Sequence, residues 1–65
     1  MPDPGWRKLV DDVLWGVEPD KARRETIEAR LRDRGDLGML HSMWVEGQDP
    51  TAIGRALARL AQGVR

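Results

Sequence analysis

The sequence contains no cysteine and no tyrosine, and it has a single histidine and a single serine. Without cysteine it can form no disulfide, and one histidine without thiols offers no obvious structural zinc site. Ser42 and His41 are neighbours in a predicted helix, so their side chains diverge by about a quarter turn and cannot act as a nucleophile and its base. We therefore predict no catalytic residue, no metal site, no cofactor and no small-molecule substrate; we expect a protein that is not an enzyme.

The sequence also lacks a long apolar run and a net charge. No segment approaches the ~18 consecutive apolar residues that indicate a membrane span, so we expect no membrane partner. The first residues, Met-Pro-Asp-Pro, do not resemble a secretory signal, and the lack of cysteine favours the cytoplasm. Eleven basic residues balance eleven acidic ones. This balance weighs against a free-standing nucleic-acid binder, because such domains are usually strongly basic.

The chain is short: 65 residues predict one small domain, residues 1–65. A core in a chain of this size rarely supplies more than ~3–5 kcal/mol without a disulfide, a metal or a partner. Two supports remain after the exclusions above. One is dense helix packing, which the three tryptophans favour. The other is association with another protein or with a second copy of the chain.

Turn signals divide the chain into four helical segments, which predict an all-α fold, a compact bundle of four short helices at about 4–16, 19–34, 36–46 and 50–62. Three starts pair an acid with proline, where the acid caps the helix and proline suits its first position: Asp3-Pro4, Glu18-Pro19 and Asp49-Pro50. Asp36 supplies the fourth start. The glycines at 16, 35 and 47 are the predicted breaks.

Apolar residues recur at helical spacing in each segment. The clearest stripe lies on the fourth helix and comprises Ile53, Ala56, Leu57, Leu60, Ala61 and Val64. The first helix offers Trp6, Leu9, Val10, Val13, Leu14 and Val17. The second has only a narrow seam, Ile27 and Leu31. In the third we assign Leu37, Met39, Leu40, Met43 and Trp44 to the core, with His41 and Val45 turned away.

Two features outside these stripes predict a protein-binding face. Trp15 lies off the stripe of its helix, and Arg23, Arg30 and Arg34 flank the seam of the second helix. An exposed tryptophan is typical of binding hot spots, and guanidinium groups grip acidic partners. The alternatives are that Trp15 folds over the second helix or over Leu60-Ala61, and that the second helix is simply exposed. In that case its own ion pairs, Asp20–Arg24 and Glu28–Arg32, would support it.

On these features the sequence predicts a small non-enzymatic regulatory or adaptor module that binds another macromolecule, most readily a protein.

Gly47 lies between the third and fourth predicted helices, Ile53 follows it by six residues, and Ala56 comes one turn later. With this spacing, residues 39–61 resemble the helix-turn-helix DNA-binding superfamily, in which a glycine closes one helix, an isoleucine locks the next and a packing position follows. Met43 departs from the family, which prefers a small residue there. The resemblance implies a transcriptional regulator that binds DNA as a dimer. Either the two helices are the first two of a tri-helical domain, with the recognition helix after Leu60, or the fourth helix is itself the recognition helix.

In the second arrangement the fourth helix would present Thr51, Arg55, Arg59 and Gln62 to the major groove. The same four residues would otherwise be an ordinary solvated face. Gly54 and Ala58 form a separate small-residue strip that lets another helix come close. That strip fits either packing within the chain or a seam between two copies.

Overall fold

Four α-helices form the architecture of residues 3–65, the range that this computed structural model describes. Their bounds are Pro4–Val17 for α1, Lys21–Asp33 for α2, Asp36–Val45 for α3 and Pro50–Val64 for α4. The predicted all-α bundle of four short helices is therefore confirmed. No helix in the described range is both long enough and apolar enough to cross a membrane.

The apolar face of α4 is the centre of the core. Ile53, Leu57 and Ala61 are completely buried on it, and α1, α2 and α3 all pack against this helix. The helix begins as its sequence predicts: Pro50 is the first residue and the Asp49 carboxylate accepts the Thr51 N–H at 3.2 Å. The other buried apolar residues come from the three remaining helices: Val10, Leu14, Ile27, Leu31 and Leu40.

The small-residue strip of α4 serves packing within the chain. A β-carbon built on Gly54 would lie 3.5 Å from Leu9 Cδ1 and 3.6 Å from Val13 Cγ2, both on α1. These are ordinary contact distances, so α1 packs directly on Gly54 and the space between the helices would also admit a β-carbon. Of the two alternatives for this strip, the structure shows packing within the chain at Gly54. The α1–α4 contact is also the most extensive of all the helix pairs among residues 3–65.

The N-terminus of α1 is tied to the end of α3 through Asp3. One carboxylate oxygen accepts the N–H groups of Gly5 and Trp6, and the other accepts Trp44 Nε1–H at 2.6 Å. These hydrogen bonds hold the pKa of Asp3 below its ordinary value, and the one from the Trp44 indole has the largest effect. The indole of Trp44 also lies directly over Gly5, where a β-carbon would meet Cζ2 at 3.1 Å. A single acid therefore caps one helix and anchors another.

Two of the predicted glycine breaks are confirmed and one is wrong. Gly35 and Gly47 have φ values of 83° and 85°, the left-handed conformation that glycine adopts at little cost. Gly16 does not end a helix, because α1 continues to Val17. The Glu18 N–H closes this helix by donating to Leu14 O at 2.8 Å. The fourth helix likewise continues past its predicted end, through Gly63 to Val64.

The predicted start of the second helix at Glu18-Pro19 is also wrong. α2 begins at Lys21, and its cap is Asp20, whose side chain accepts the Arg23 N–H at 3.0 Å. Glu18 does not cap it, because its side chain is directed inward and only 4% of the residue is exposed. An acid–proline pair thus marks two of the three starts, and at the third a nearer aspartate takes over.

Two assignments in α3 are corrected. Met39, expected in the core, is 53% exposed. Its neighbour Leu40 is 1% exposed and faces the core as predicted, and consecutive helical residues point about 100° apart. His41, expected to turn away, is half-buried with its ring 5.2 Å from that of Trp6. Val45 does turn away, as predicted, and is 68% exposed.

Gly16→Ala tests the course of α1 directly. A β-carbon at Gly16 would meet nothing within 4 Å, so alanine should stabilise the helix by about 0.5 kcal/mol. The matched change Gly47→Ala should cost about 1–2 kcal/mol, because Gly47 has positive φ. Urea unfolding followed by circular dichroism measures both. A loss of stability in Gly16→Ala comparable to that in Gly47→Ala would contradict a helix that runs through residue 16.

Candidate protein-binding groove

Trp15 is the most exposed aromatic residue in the described part of the chain. It lies near the end of α1, off the apolar face, and 61% of it is accessible to solvent. Arg24 of α2 places its guanidinium carbon 4.3 Å from the centre of the indole, a cation–π arrangement. Trp15 therefore meets α2, as one alternative proposed, but it stays exposed and is not folded into the core.

Arg24 is held in place by the segment that connects α1 and α2. Its Nη1 group donates to the carbonyl oxygen of Glu18 at 3.1 Å and also to that of Pro19. The predicted Asp20–Arg24 ion pair is wrong, because Asp20 caps α2 while Arg24 turns toward α1. The guanidinium is thus fixed by the backbone, and it in turn restricts the indole.

A groove of about 500 Å³ separates α1 from α2 beside this stack. The two helices pack on each other less than either packs on α4, so they diverge at the surface. Leu14 forms the buried floor of the groove and Trp15 one wall. Its remaining lining residues are charged: Arg7, Asp11, Lys21, Arg24, Glu25 and Glu28.

An ionic bridge joins the two helices at the other end of the groove. Arg7 of α1 lies 2.5 Å from Glu28 Oε1 of α2 and 2.6 Å from Asp11 Oδ1 of its own helix. The hydrogen bond to Glu28, and then that to Asp11, raises the pKa of Arg7 above its ordinary value. Glu28 also accepts Arg32 at 2.9 Å, which confirms the predicted Glu28–Arg32 pair.

Two charged residues of α2 that line the groove, Lys21 and Glu25, stand without a side-chain partner in the part of the chain that the structure describes. Within residues 3–65, the structure gives neither Lys21 nor Glu25 a side-chain hydrogen bond or ion pair. They lie one helical turn apart on α2, at the edge of the groove. A partner in the groove could therefore supply an acid to one and a base to the other.

The three arginines expected beside Trp15 lie on the other flank of the α2 seam. Arg30 Nη1 donates to Val64 O at the end of α4, at 3.1 Å, and Arg34 Nε lies 3.3 Å from Asp36 Oδ2. Arg23 lies on the same flank, and none of the three lines the groove that contains Trp15. The structure thus separates the predicted protein-binding residues into two surfaces and adds Arg24 to the first.

The four candidate DNA-contacting residues form one exposed stripe on α4. Thr51, Arg55, Arg59 and Gln62 are all exposed, on the face opposite Ile53 and Leu57. In the described range no hydrogen bond or ion pair engages the side chain of Arg55 or Arg59. Both guanidinium groups are therefore available to a ligand.

Ser42 and His41, the pair considered above as a nucleophile and its base, make other contacts. Ser42 Oγ donates to Gly38 O at 3.1 Å, and the ring of His41 packs against Trp6. Among residues 3–65 no three histidine or acidic side chains converge closely enough to hold a metal ion.

No protein family model, no curated protein and no solved structure matches this chain.

Proposed function

We propose that this chain is a small non-enzymatic regulatory or adaptor module that binds another protein in the groove between α1 and α2. The observation that carries the proposal is Trp15, 61% exposed at the wall of that groove. A fully buried aromatic side chain removes about 150–250 Å² from water, and more than half of Trp15 is still available for burial. Tryptophan is also among the residues enriched at binding hot spots.

The contacts around Trp15 favour a binding surface over a tryptophan that is simply exposed to solvent. Arg24 restrains the indole before any partner arrives, so less conformational entropy is lost when a partner packs on its free face. The ionic bridge of Arg7 and Glu28 closes the far end of the groove, and Lys21 and Glu25 leave one charge of each sign unpaired. Such a surface combines an apolar anchor with a polar rim, which is how protein interfaces are built.

A pull-down from host extract tests this proposal, with wild type, Trp15→Ala and Val45→Ala compared. Val45 is 68% exposed on α3, so its truncation controls for the loss of any surface apolar group. For a bound protein identified by mass spectrometry, Trp15→Ala should raise the Kd of the complex roughly thirtyfold. This corresponds to a loss of at least ~2 kcal/mol of binding free energy. The Val45→Ala variant should bind normally.

Equal retention by Trp15→Ala and wild type would contradict the groove as the binding site. A second copy of the chain is a separate outcome, which analytical ultracentrifugation would report as a dimer that Trp15→Ala dissociates.

DNA binding through α4 is the second candidate, and it is favoured by the exposure of Arg55 and Arg59, whose side chains have no partner within residues 3–65. The features that resemble a helix-turn-helix also have compatible geometry: Gly47 has positive φ between α3 and α4, and Ile53 is fully buried. The neutral net charge opposes it, since binding to the phosphate backbone depends on an excess of basic groups.

A titration of labelled mixed-sequence duplex DNA, at low and then moderate salt, measures this alternative. If α4 is a recognition helix, Arg55→Ala/Arg59→Ala should abolish binding that Trp15→Ala preserves, and affinity should fall steeply with salt. No binding by the wild-type protein even at low salt would remove DNA from its ligands.

A further inference from the structure

A second cleft lies on the other flank of α2, where this helix meets the end of α4. Its volume is about 280 Å³, below the ~300–1,000 Å³ typical of small-molecule sites, so it has room for a few side-chain atoms and not for a large cofactor. Ile27, 3% exposed, and the half-buried Val64 form an apolar floor. The cleft shares no lining residue with the Trp15 groove.

Three guanidinium groups border this cleft, from Arg23, Arg30 and Arg65. Within residues 3–65 the Arg23 side chain has no intramolecular partner. Arg30 uses Nη1 to hold Val64 O, and Arg65 directs Nε toward Glu18, so both keep other N–H donors free. The border of the cleft therefore carries guanidinium N–H donors that no group in the described residues uses, two of the three groups being held in place.

The one acid in the cleft is already satisfied. Glu18 Oε1 accepts the Asp20 N–H at 3.2 Å, and Oε2 lies 3.4 Å from Arg65 Nε. Its side chain is 5% exposed, so it presents little negative charge to a ligand. Three guanidinium groups against this single carboxylate leave the cleft with an excess of positive charge.

We infer that this cleft binds a carboxylate side chain of an acidic peptide segment in a protein partner. Guanidinium groups form paired hydrogen bonds with carboxylates, and the apolar floor suits the methylene groups that carry a glutamate or aspartate head. Duplex DNA fits less well, because its phosphates lie on a broad convex surface and present no apolar group to the floor formed by Ile27 and Val64. The inference does not depend on the Trp15 groove.

Fluorescence anisotropy with a fluorescein-labelled oligoglutamate peptide tests the inference, and an oligoglutamine peptide of the same length is the control ligand. The test variant is Arg23→Gln/Arg30→Gln. The control variant is Arg55→Gln/Arg59→Gln, which makes the same charge change on the outer face of α4. Binding should weaken about tenfold in the first and by less than about twofold in the second, because exposed ion pairs contribute ~0.2–1 kcal/mol each.

The single change Arg23→Gln distinguishes a loss of binding from a folding defect. Arg30 donates a hydrogen bond to the end of α4, whereas the Arg23 side chain makes no hydrogen bond or ion pair within residues 3–65. Arg23→Gln should weaken peptide binding about threefold with unchanged circular dichroism.

Four results would overturn the inference: no binding of oligoglutamate at low salt, equal binding of oligoglutamine, equal losses in the test and control variants, or displacement of the peptide by millimolar inorganic phosphate. The last would identify a general anion site. Duplex DNA that bound more tightly than the peptide, and lost affinity in Arg23→Gln, would reassign the cleft to nucleic acid.

Discussion

The apolar face of α4 is the constraint on which the rest of the molecule depends. All three other helices pack against it, α1 most extensively, and Ile53, Leu57 and Ala61 are completely excluded from solvent there. Neither a disulfide nor zinc–cysteine coordination is available to a chain without cysteine, so burial on this face must supply most of the cohesion. On the neighbouring side of this helix, Gly54 packs against Leu9 and Val13 of α1.

The two candidate surfaces are consequences of that packing. Because α1 and α2 are both held by α4, they diverge from each other and leave the groove beside Trp15. The α2 seam consists of only two buried residues one turn apart, Ile27 and Leu31, so polar side chains begin immediately on both flanks. Arg24 faces α1 on one flank, while Arg23 and Arg30 border the cleft near the end of α4 on the other. One narrow helix thus contributes to two separate binding surfaces.

The fold was predictable from sequence because helical periodicity and capping are local properties, and α4 shows both within its own residues. The errors occurred where a neighbouring helix decides the outcome. Glu18 has the pattern of a cap, but tertiary packing buries it and Asp20 caps α2 instead. His41 packs on Trp6, from a helix distant in sequence. The position of Trp15 off its stripe was readable, but Arg24 as its partner was not, since that contact depends on how α1 and α2 are placed around α4.

The availability of Trp15 to a partner can be measured most directly by acrylamide quenching of tryptophan fluorescence in wild type and Trp15→Phe. Trp6 and Trp44 are half-buried, so Trp15 should account for most of the readily quenched emission. We predict that Trp15→Phe lowers the quenching constant markedly and leaves the urea midpoint unchanged. An unchanged quenching constant would show that Trp15 is not the accessible tryptophan. A clear loss of stability would show that it supports the fold, and either result would contradict its role as an exposed anchor.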